Sequence, residues 1–243
     1  MKKNLVILSG WAVDKFVWKS IIDLLESDFQ IFIIDWDDIL SLDGFKEKVI
    51  DFLDKKEINK FSIMAWSLGS LVAFDLILRY SLQIENLILF GPTCKFVRNE
   101  ESHYNIGWHE KIVKRMISML EIYPQKTLDS FYKQLFTELE VNNRYYDKYI
   151  KEVKKLDKDY SVKSLAIGLE YLINKDFRES LINIDIKALI IHGEGDIICP
   201  LQSGEYLYRN LKESELIELK GTGHMPFYTK PDECYDIITD YTN

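Results

Sequence analysis

The sequence predicts an α/β fold, with a mostly parallel central sheet, helices on both faces and an inserted helical lid. Short apolar runs alternate with longer amphipathic stretches in the first 90 residues, as in chains that build a parallel sheet from βα units. The pattern is helical from about residue 109 to 181, and the alternation then resumes. At 243 residues the chain fits one domain.

Six short apolar runs have the composition of buried strands. They cover residues 5–8, 30–34, 61–65, 86–90, 188–191 and 215–219. The stretches between them carry apolar residues three and four positions apart, which predicts helices packed against the sheet. These helices are expected at residues 17–25, 44–53, 68–80 and 201–211, and from Pro231 onward.

The helical middle of the sequence predicts four helices, at residues 110–120, 127–139, 145–156 and 161–173. Because sheet-forming segments lie on both sides of it, we expect an insertion into one α/β core. The expected core is residues 1–104 and 182–243. The expected lid, called the helical insert below, is residues 105–181.

Composition excludes several classes of protein. Hydrophobic residues make up 47% and charged residues 29% of the chain, which is ordinary for a globular protein. The net charge of -8 disfavours binding to nucleic acid and to acidic membranes. The first apolar run is too short for a signal peptide, and three widely spaced cysteines do not form a disulfide or zinc pattern. We therefore expect a cytoplasmic monomer.

The segment FSIMAWSLGS, residues 61–70, contains the most informative motif. A strand, a serine with small residues two positions before and after it, and a following helix form the nucleophile elbow of serine hydrolases, in which a sharp turn exposes the hydroxyl. Ser67 is the candidate nucleophile, and Ala65 stands where the common pattern has glycine. The alternative is that Ser67 only caps a buried helix.

Two later loops present an acid and a histidine, and each follows a predicted strand. Asp196 lies in a glycine-rich turn, and His224 follows Gly221-Thr-Gly. The order serine, acid, histidine is that of the α/β-hydrolase fold. Each residue also has a structural alternative, since Asp196 would fit as a helix cap and His224 as an ordinary loop histidine. A further alternative is that Glu194, and not Asp196, is the acid.

The predicted chemistry is acyl transfer to Ser67. Neutral His224 would remove the hydroxyl proton, and Asp196 would orient the imidazole and stabilise its charged form. The backbone N–H groups of Leu68 and Trp11 are the expected oxyanion donors. Ser9 stands where such loops usually have histidine. We expect no metal and no cofactor, because the other histidines lack metal-ligand spacing.

With these segments in place, the chain resembles the BioH-like carboxylesterases, which release pimeloyl-acyl-carrier protein from its methyl ester in biotin synthesis. The resemblance spans most of the chain and is carried by the stretches Leu5 to Trp11 with Val17-Trp18, Trp66-Ser-Leu-Gly, Thr127 to Phe131, Gly168-Leu-Glu and the two triad loops.

The resemblance implies that an acyl chain lies between the sheet and the lid. Substrate contacts would then come from Trp11, Ser67, Leu68, Phe131, Tyr132, Lys133, Gln134, Leu135 and His224. Basic lid residues would hold the acidic carrier protein, the candidates being Lys126, Lys133, Arg144 and Lys148. For Phe131, Tyr132 and Leu135 the alternative is packing inside the lid.

Three hypotheses remain open from the sequence. The first is an esterase for the methyl ester of a carrier-bound acyl chain. The second is another hydrolase with the same triad, such as a general short-chain esterase, a thioesterase or a carbon–carbon bond hydrolase. The third is a non-catalytic binding protein that retains the fold. A substrate panel separates the first two, and labelling of Ser67 by a fluorophosphonate excludes the third.

Overall fold

One parallel sheet organises the chain in this computed structural model, which describes residues 2–99, 101–156 and 160–242. In the described part, six strands lie in the order β2-β1-β3-β4-β5-β6, and every neighbouring pair is parallel. The strands are β1 (Lys3–Leu8), β2 (Phe29–Ile34), β3 (Lys60–Trp66), β4 (Gln83–Phe90), β5 (Ala188–Gly193) and β6 (Ser214–Leu219). The predicted α/β fold with a mostly parallel sheet is confirmed.

The apolar runs become strands because both faces of the sheet are covered. All six residues of β5 and all but the first of β3 are buried. A strand buried on both faces has a nearly continuous apolar sequence, which explains runs such as Ala188-Leu-Ile-Ile. The edge strands β2 and β6 are only partly buried. The core therefore lies on both sides of β1, β3, β4 and β5.

Helices pack around this sheet and continue into the helical insert. In chain order they are α1 (Lys19–Leu25), α2 (Gly44–Lys55), α3 (Leu68–Arg79), α4 (Glu110–Ile122), α5 (Pro124–Gln134), α6 (Glu138–Asn142), α7 (Tyr145–Leu156), α8 (Val162–Asn174), α9 (Leu201–Asn210), α10 (Pro226–Thr229) and α11 (Pro231–Thr242). Among the helices so described, none combines the length and the apolar character needed to cross a membrane.

The helical insert differs from prediction in one place. The sequence predicts one helix over residues 127–139, but α5 ends at Gln134 and the short helix α6 begins at Glu138. Thr137 starts α6 with a capping box: its hydroxyl accepts from the Glu140 N–H, and the Glu140 carboxylate accepts from the Thr137 N–H. The apolar periodicity continues across this break, so periodicity alone did not reveal it.

A buried carboxylate anchors the end of the insert to the core. Asp75 lies on α3 with a fully buried side chain and accepts hydrogen bonds from Lys175 Nζ at 2.5 Å and Tyr171 Oη at 3.2 Å. Burial alone raises the pKa of Asp75, but hydrogen bonds from Lys175 and Arg79 outweigh it and lower the pKa. The C-terminal end of α8 is thereby held against α3.

Helix α3 approaches the end of β1 closely, and Gly69 permits this approach. A Cβ atom at Gly69 would lie 2.2 Å from the Leu8 carbonyl oxygen, far inside van der Waals contact. Because the obstacle is backbone, it has no side-chain rotamer to change. Gly69 therefore determines how closely α3 packs against the end of β1.

We predict that Gly69→Ala lowers the free energy of unfolding by about 2–3 kcal/mol, because overpacking forces α3 away from β1. Urea denaturation monitored by circular dichroism measures the change. The matched control is Gly44→Ala in α2, where the nearest atom would be the Ser41 hydroxyl oxygen at 3.3 Å. An equal, small effect of both substitutions would contradict the prediction.

Candidate active site

The carboxyl ends of the parallel strands bring the predicted residues to one edge of the sheet. Trp11 follows β1, Ser67 follows β3, Asp196 follows β5 and His224 follows β6. Parallel strands end at the same edge, so loops that are distant in sequence meet there. This edge is the candidate active site.

Ser67 occupies a strained turn between β3 and α3. Its backbone angles are φ 54° and ψ -117°, a conformation that non-glycine residues rarely adopt. The turn is held because the Ser67 N–H donates to the Phe90 carbonyl at 3.2 Å and the Ser70 hydroxyl donates to the Ser67 carbonyl at 2.6 Å. This is the geometry of a nucleophile elbow.

Asp196 and His224 form a buried pair. Their side chains are fully buried, and His224 Nδ1 lies 2.6 Å from Asp196 Oδ2. Oδ1 of Asp196 accepts from the N–H groups of Ile198 and Cys199, both at 2.9 Å. Burial alone raises the pKa of Asp196, but attraction to His224 and hydrogen bonds from His192 and His224 lower that pKa to about 2. Asp196 is therefore a carboxylate at neutral pH.

The other ring nitrogen of His224 is the one available for proton transfer. Nε2 is buried and makes no hydrogen bond to any residue in the described ranges. The His224 backbone is supported by the Trp66 indole, which donates to its carbonyl at 2.8 Å. With Nδ1 held by Asp196, Nε2 can accept a proton from a serine hydroxyl brought next to it.

Gly91, in the loop after β4, makes room for this pair. Its φ is +44°, and a Cβ atom there would lie 2.9 Å from Asp196 Oδ2 and 3.0 Å from His224 Nδ1. A side chain at residue 91 would therefore press on the hydrogen bond between the acid and the base. Sequence reasoning did not single out Gly91, although its place directly after a predicted strand is a usable signal.

A second buried histidine supports the acid loop. His192 Nε2 lies 2.7 Å from the Cys199 carbonyl oxygen and 3.5 Å from Asp196 Oδ2. Burial raises the pKa of the Cys199 thiol well above its ordinary value, and the negative charge of Asp196 raises it further. A hydrogen bond with Ser67 lowers this pKa by a smaller amount. Burial also raises the pKa of Cys94 to about 12. Both thiols are protonated, which disfavours a cysteine nucleophile.

The expected oxyanion donors lie at the same sheet edge as Ser67: Leu68 directly follows Ser67, and Trp11 follows β1. Leu68 is the first residue of α3, so its N–H has no acceptor one turn earlier in the helix. The loop that carries Trp11 is held at Ser9: the hydroxyl accepts from the Trp18 indole at 3.2 Å, and the carbonyl from the Trp36 indole at 2.7 Å. Ser9 thus supports the loop although it replaces the usual histidine.

An apolar pocket lies directly over Ser67. Its lining comprises Trp11, Ser67, Phe96, Trp108, Met116, Phe131, Leu169, Leu172 and Ile198. The pocket volume is about 10 Å³, about the space of one water molecule. The rings of Trp11 and Phe131 meet edge to face at 4.8 Å. Binding of an acyl group therefore requires side chains such as Phe131 to move.

A larger groove between α4 and α5 shares three lining residues with this pocket. It has a volume of about 300 Å³ and is lined by Trp108, Ile112, Arg115, Met116, Met119, Lys126, Thr127, Ser130, Phe131 and Gln134. Trp108, Met116 and Phe131 line both spaces. Arg115 and Lys126 are exposed at the groove, and neither makes an ion pair with a residue in the described part of the chain.

The predicted substrate residues divide into two groups. Trp11 and Ser67 line the pocket, Gln134 lines the groove, and Phe131 lines both. The remaining lid residues line neither space. Tyr132 is buried and its hydroxyl donates to the Ala12 carbonyl at 3.1 Å, Lys133 is exposed, and Leu135 is buried with its carbonyl accepting from the His224 N–H at 2.9 Å.

The other polar candidates have partners of their own. Arg144 pairs with Asp147 at 2.6 Å, and Lys148 Nζ lies 5.7 Å from the centre of the Tyr228 ring. Glu194, the alternative acid, is exposed and accepts from the Gly221 N–H at 3.2 Å. The geometry therefore favours Asp196 as the acid. Within the ranges described, His, Cys, Asp and Glu side chains form no group that could hold a metal ion.

Comparison with known families agrees with this geometry. Residues 30–230 match the family model described as serine aminopeptidase, S33, which covers more than half of the chain and includes all three candidate triad residues. The chain belongs to this family. It is therefore a hydrolase of the α/β-hydrolase fold, as the sequence motifs predict.

Curated relatives of the chain are named as esterases. The chain is 26% identical to a pimeloyl-[acyl-carrier protein] methyl ester esterase from Nitrosomonas europaea, over 97% of this chain and 95% of the relative. It is 27% identical to the enzyme of the same name from Legionella pneumophila, over 98% and 94%. The resemblance seen in the sequence motifs is confirmed.

The solved structure of an esterase from Exiguobacterium antarcticum has the same fold. It superposes with a TM-score of 0.84 at 18% identity, over 99% of this chain and 91% of the esterase. At this level of identity the similarity concerns the fold alone.

We predict that Asp196→Asn lowers kcat for ester hydrolysis by about 10⁴-fold, because an amide neither selects the productive imidazole tautomer nor stabilises its charged form. Since the pKa of Asp196 is about 2, the carboxylate is ionised at every pH above about 4, and the loss should persist across the assay range. Steady-state kinetics between about pH 5 and 9 measure it.

The control is Glu194→Gln, an exposed carboxylate on the same loop. We expect its kcat to stay within about two-fold of the wild type, as for a surface substitution. If Glu194→Gln were the inactive variant and Asp196→Asn the active one, the assignment of the acid would be wrong.

Proposed function

We propose that the chain is a serine carboxylesterase that hydrolyses the methyl ester of a carrier-bound dicarboxylic acyl chain, pimeloyl-acyl-carrier protein, through Ser67, His224 and Asp196. The observation that carries the proposal is the buried Asp196–His224 hydrogen bond, at the same sheet edge as the strained Ser67, which itself lines an apolar pocket. The names of the two relatives support the choice of substrate.

The proposed reaction passes through an acyl-enzyme. His224 Nε2 takes the hydroxyl proton as Ser67 Oγ attacks the ester carbonyl carbon, and the N–H groups of Trp11 and Leu68 stabilise the oxyanion. The intermediate collapses, and methoxide leaves with the proton from His224 as methanol. Water, activated by His224, then attacks the acyl-enzyme, which releases the carboxylate product and restores Ser67.

The helical insert would act as the lid of this site, with residues 105–181 as its extent. In the proposal, the ester end of the substrate occupies the pocket over Ser67. The acyl chain continues into the groove between α4 and α5, whose lining is mainly apolar. The linker to the carrier protein would leave beside Arg115 and Lys126, where cations favour an acidic partner.

We predict that the wild-type protein releases methanol from pimeloyl-acyl-carrier protein methyl ester, and that Ser67→Ala lowers kcat by at least about 10³-fold, because the nucleophile is lost while binding remains. Mass spectrometry of the carrier measures the loss of the methyl group. Mass spectrometry of the enzyme detects the trapped acyl-Ser67. A fluorophosphonate probe should label the wild type and leave Ser67→Ala unlabelled.

The outcome also separates the alternatives. Fast cleavage of short-chain esters or thioesters without methanol release from the carrier substrate would replace the substrate assignment by a general esterase or thioesterase. Absence of both turnover and labelling would favour a non-catalytic binding protein and overturn the proposed function.

We predict that the double variant Arg115→Glu and Lys126→Glu raises KM for the carrier-bound ester by at least about ten-fold and leaves kcat nearly unchanged, because the charges act on partner binding outside the reacting centre. The variant should also weaken the salt dependence of KM. Cleavage of p-nitrophenyl acetate, which has no carrier, should be unaffected.

The control for this experiment is the double variant Lys56→Glu and Lys163→Glu, which changes the net charge by the same amount at two exposed lysines that do not line the groove. We expect its KM for the carrier-bound ester to remain near that of the wild type. Equal increases in KM for the two double variants would indicate a general effect of net charge and contradict a carrier site at the groove.

A further inference from the structure

Glu140 is a buried acid that the proposed reaction does not use. Its side chain lies on α6, only 3% of the residue is exposed, and it forms no ion pair with any residue in the described ranges. Oε1 is buried and without a hydrogen-bond partner in the same ranges. Burial of an acid without a cation is unfavourable, and hydrogen bonds must offset this cost.

The capping box accounts for only part of the contacts of Glu140. Oε2 accepts from the Thr137 N–H at 2.8 Å, as the box requires. The same oxygen also accepts from the N–H of Gly223 at 2.9 Å, a residue 83 positions away in sequence. A capping box needs only the bonds within its own helix end, so the bond from Gly223 is not explained by capping of α6.

Gly223 directly precedes His224, and further bonds join the same two segments. The His224 N–H donates to the Leu135 carbonyl at 2.9 Å, and the Thr137 hydroxyl lies 3.2 Å from the Gly221 carbonyl oxygen. The fit is close, since a Cβ atom at Gly223 would lie 2.6 Å from the Leu135 oxygen. The break between α5 and α6 is thus packed against the loop that carries the candidate base.

We infer that Glu140 is a positioning residue for His224, holding the histidine loop through the Gly223 N–H so that the imidazole keeps its place between Asp196 and Ser67. This inference rests on the proposed function, because it assigns His224 the role of base. It adds a role for the helical insert: besides covering Ser67, its residues 135–140 orient the catalytic machinery.

The physical reason is that proton transfer depends steeply on geometry. Trp66 and Asp196 hold His224 from the core side, by its carbonyl oxygen and by Nδ1. On the side of the insert, the backbone is held at Gly223 and His224. A displacement of about 1 Å in a catalytic group can cost about 10²-fold in rate, without changing how substrate binds.

The test compares Glu140→Ala, Glu140→Asp and Glu140→Gln with the wild type. We expect Glu140→Ala to lower kcat for a p-nitrophenyl ester by about 10- to 100-fold while KM changes by less than about three-fold. Glu140→Asp, one methylene shorter, should lose nearly as much. Glu140→Gln keeps an acceptor oxygen in place and should retain at least about a third of kcat.

The rate of Ser67 labelling by a fluorophosphonate should follow the same order, because labelling also needs the base. Two controls address the stability of the insert. Ser161→Ala removes the N-cap of α8, whose side chain accepts from the Ser164 N–H, and Glu138→Ala changes an exposed acid on α6. Both should keep kcat near the wild-type value at a temperature well below unfolding.

Each outcome decides the inference. Folded Glu140→Ala with wild-type kcat and labelling would overturn it, as would equal losses in Glu140→Gln and Glu140→Ala. If Glu140→Ala does not fold, Glu140→Asp gives the decision. Neither assay uses the carrier protein, so an incorrect carrier substrate leaves the test intact. A wild type without hydrolysis or labelling would overturn both the proposed function and this role of Glu140.

Discussion

The hydrogen bond between His224 Nδ1 and Asp196 Oδ2 joins two loops that are 28 residues apart in sequence, in an interior where an unpaired charge would be strongly unfavourable. Much of the surrounding structure preserves it. Backbone N–H groups stabilise the carboxylate, Gly91 leaves space beside the pair, and the Trp66 indole holds the histidine backbone. A carboxylate kept ionised in this way can orient and stabilise an imidazolium.

The parallel sheet makes this meeting of loops possible. All the strands that carry candidate residues end at one edge, and the strain at Ser67 is sustained there by contacts that the core fixes. The Phe90 carbonyl accepts from the Ser67 N–H, and Gly69 brings α3 close to the end of β1. A local conformation that is unfavourable alone is thus kept by the packing around it.

The helical insert contacts the core at several places, and two of these contacts have different consequences. The end of α8 is held by Asp75, and residues 135–140 are held against the histidine loop. Phe131, Met116 and Trp108 line both the pocket over Ser67 and the groove. Opening a path for an acyl chain by moving these side chains would leave both anchors in place.

Sequence alone determined the elements that local physical chemistry specifies. Apolar runs predicted each of the six strands that the described part of the chain contains. Small residues near Ser67, Asp196 and His224 predicted turns at the ends of strands. The order of these residues along the chain indicated the fold. Such signals are local, so they survive in a single sequence.

Only the tertiary structure decided the features that depend on contacts between distant residues. The apolar period runs unbroken through residues 135–137, where the chain turns to meet the histidine loop. The sequence pattern does not indicate that the Glu140 carboxylate accepts from the Gly223 N–H. Phe131 and Tyr132 are adjacent aromatic residues in the sequence, but the Tyr132 hydroxyl donates to the Ala12 carbonyl whereas Phe131 lines the pocket over Ser67. Periodicity reports that a residue is buried. What it is buried against is set by the packing of the whole chain.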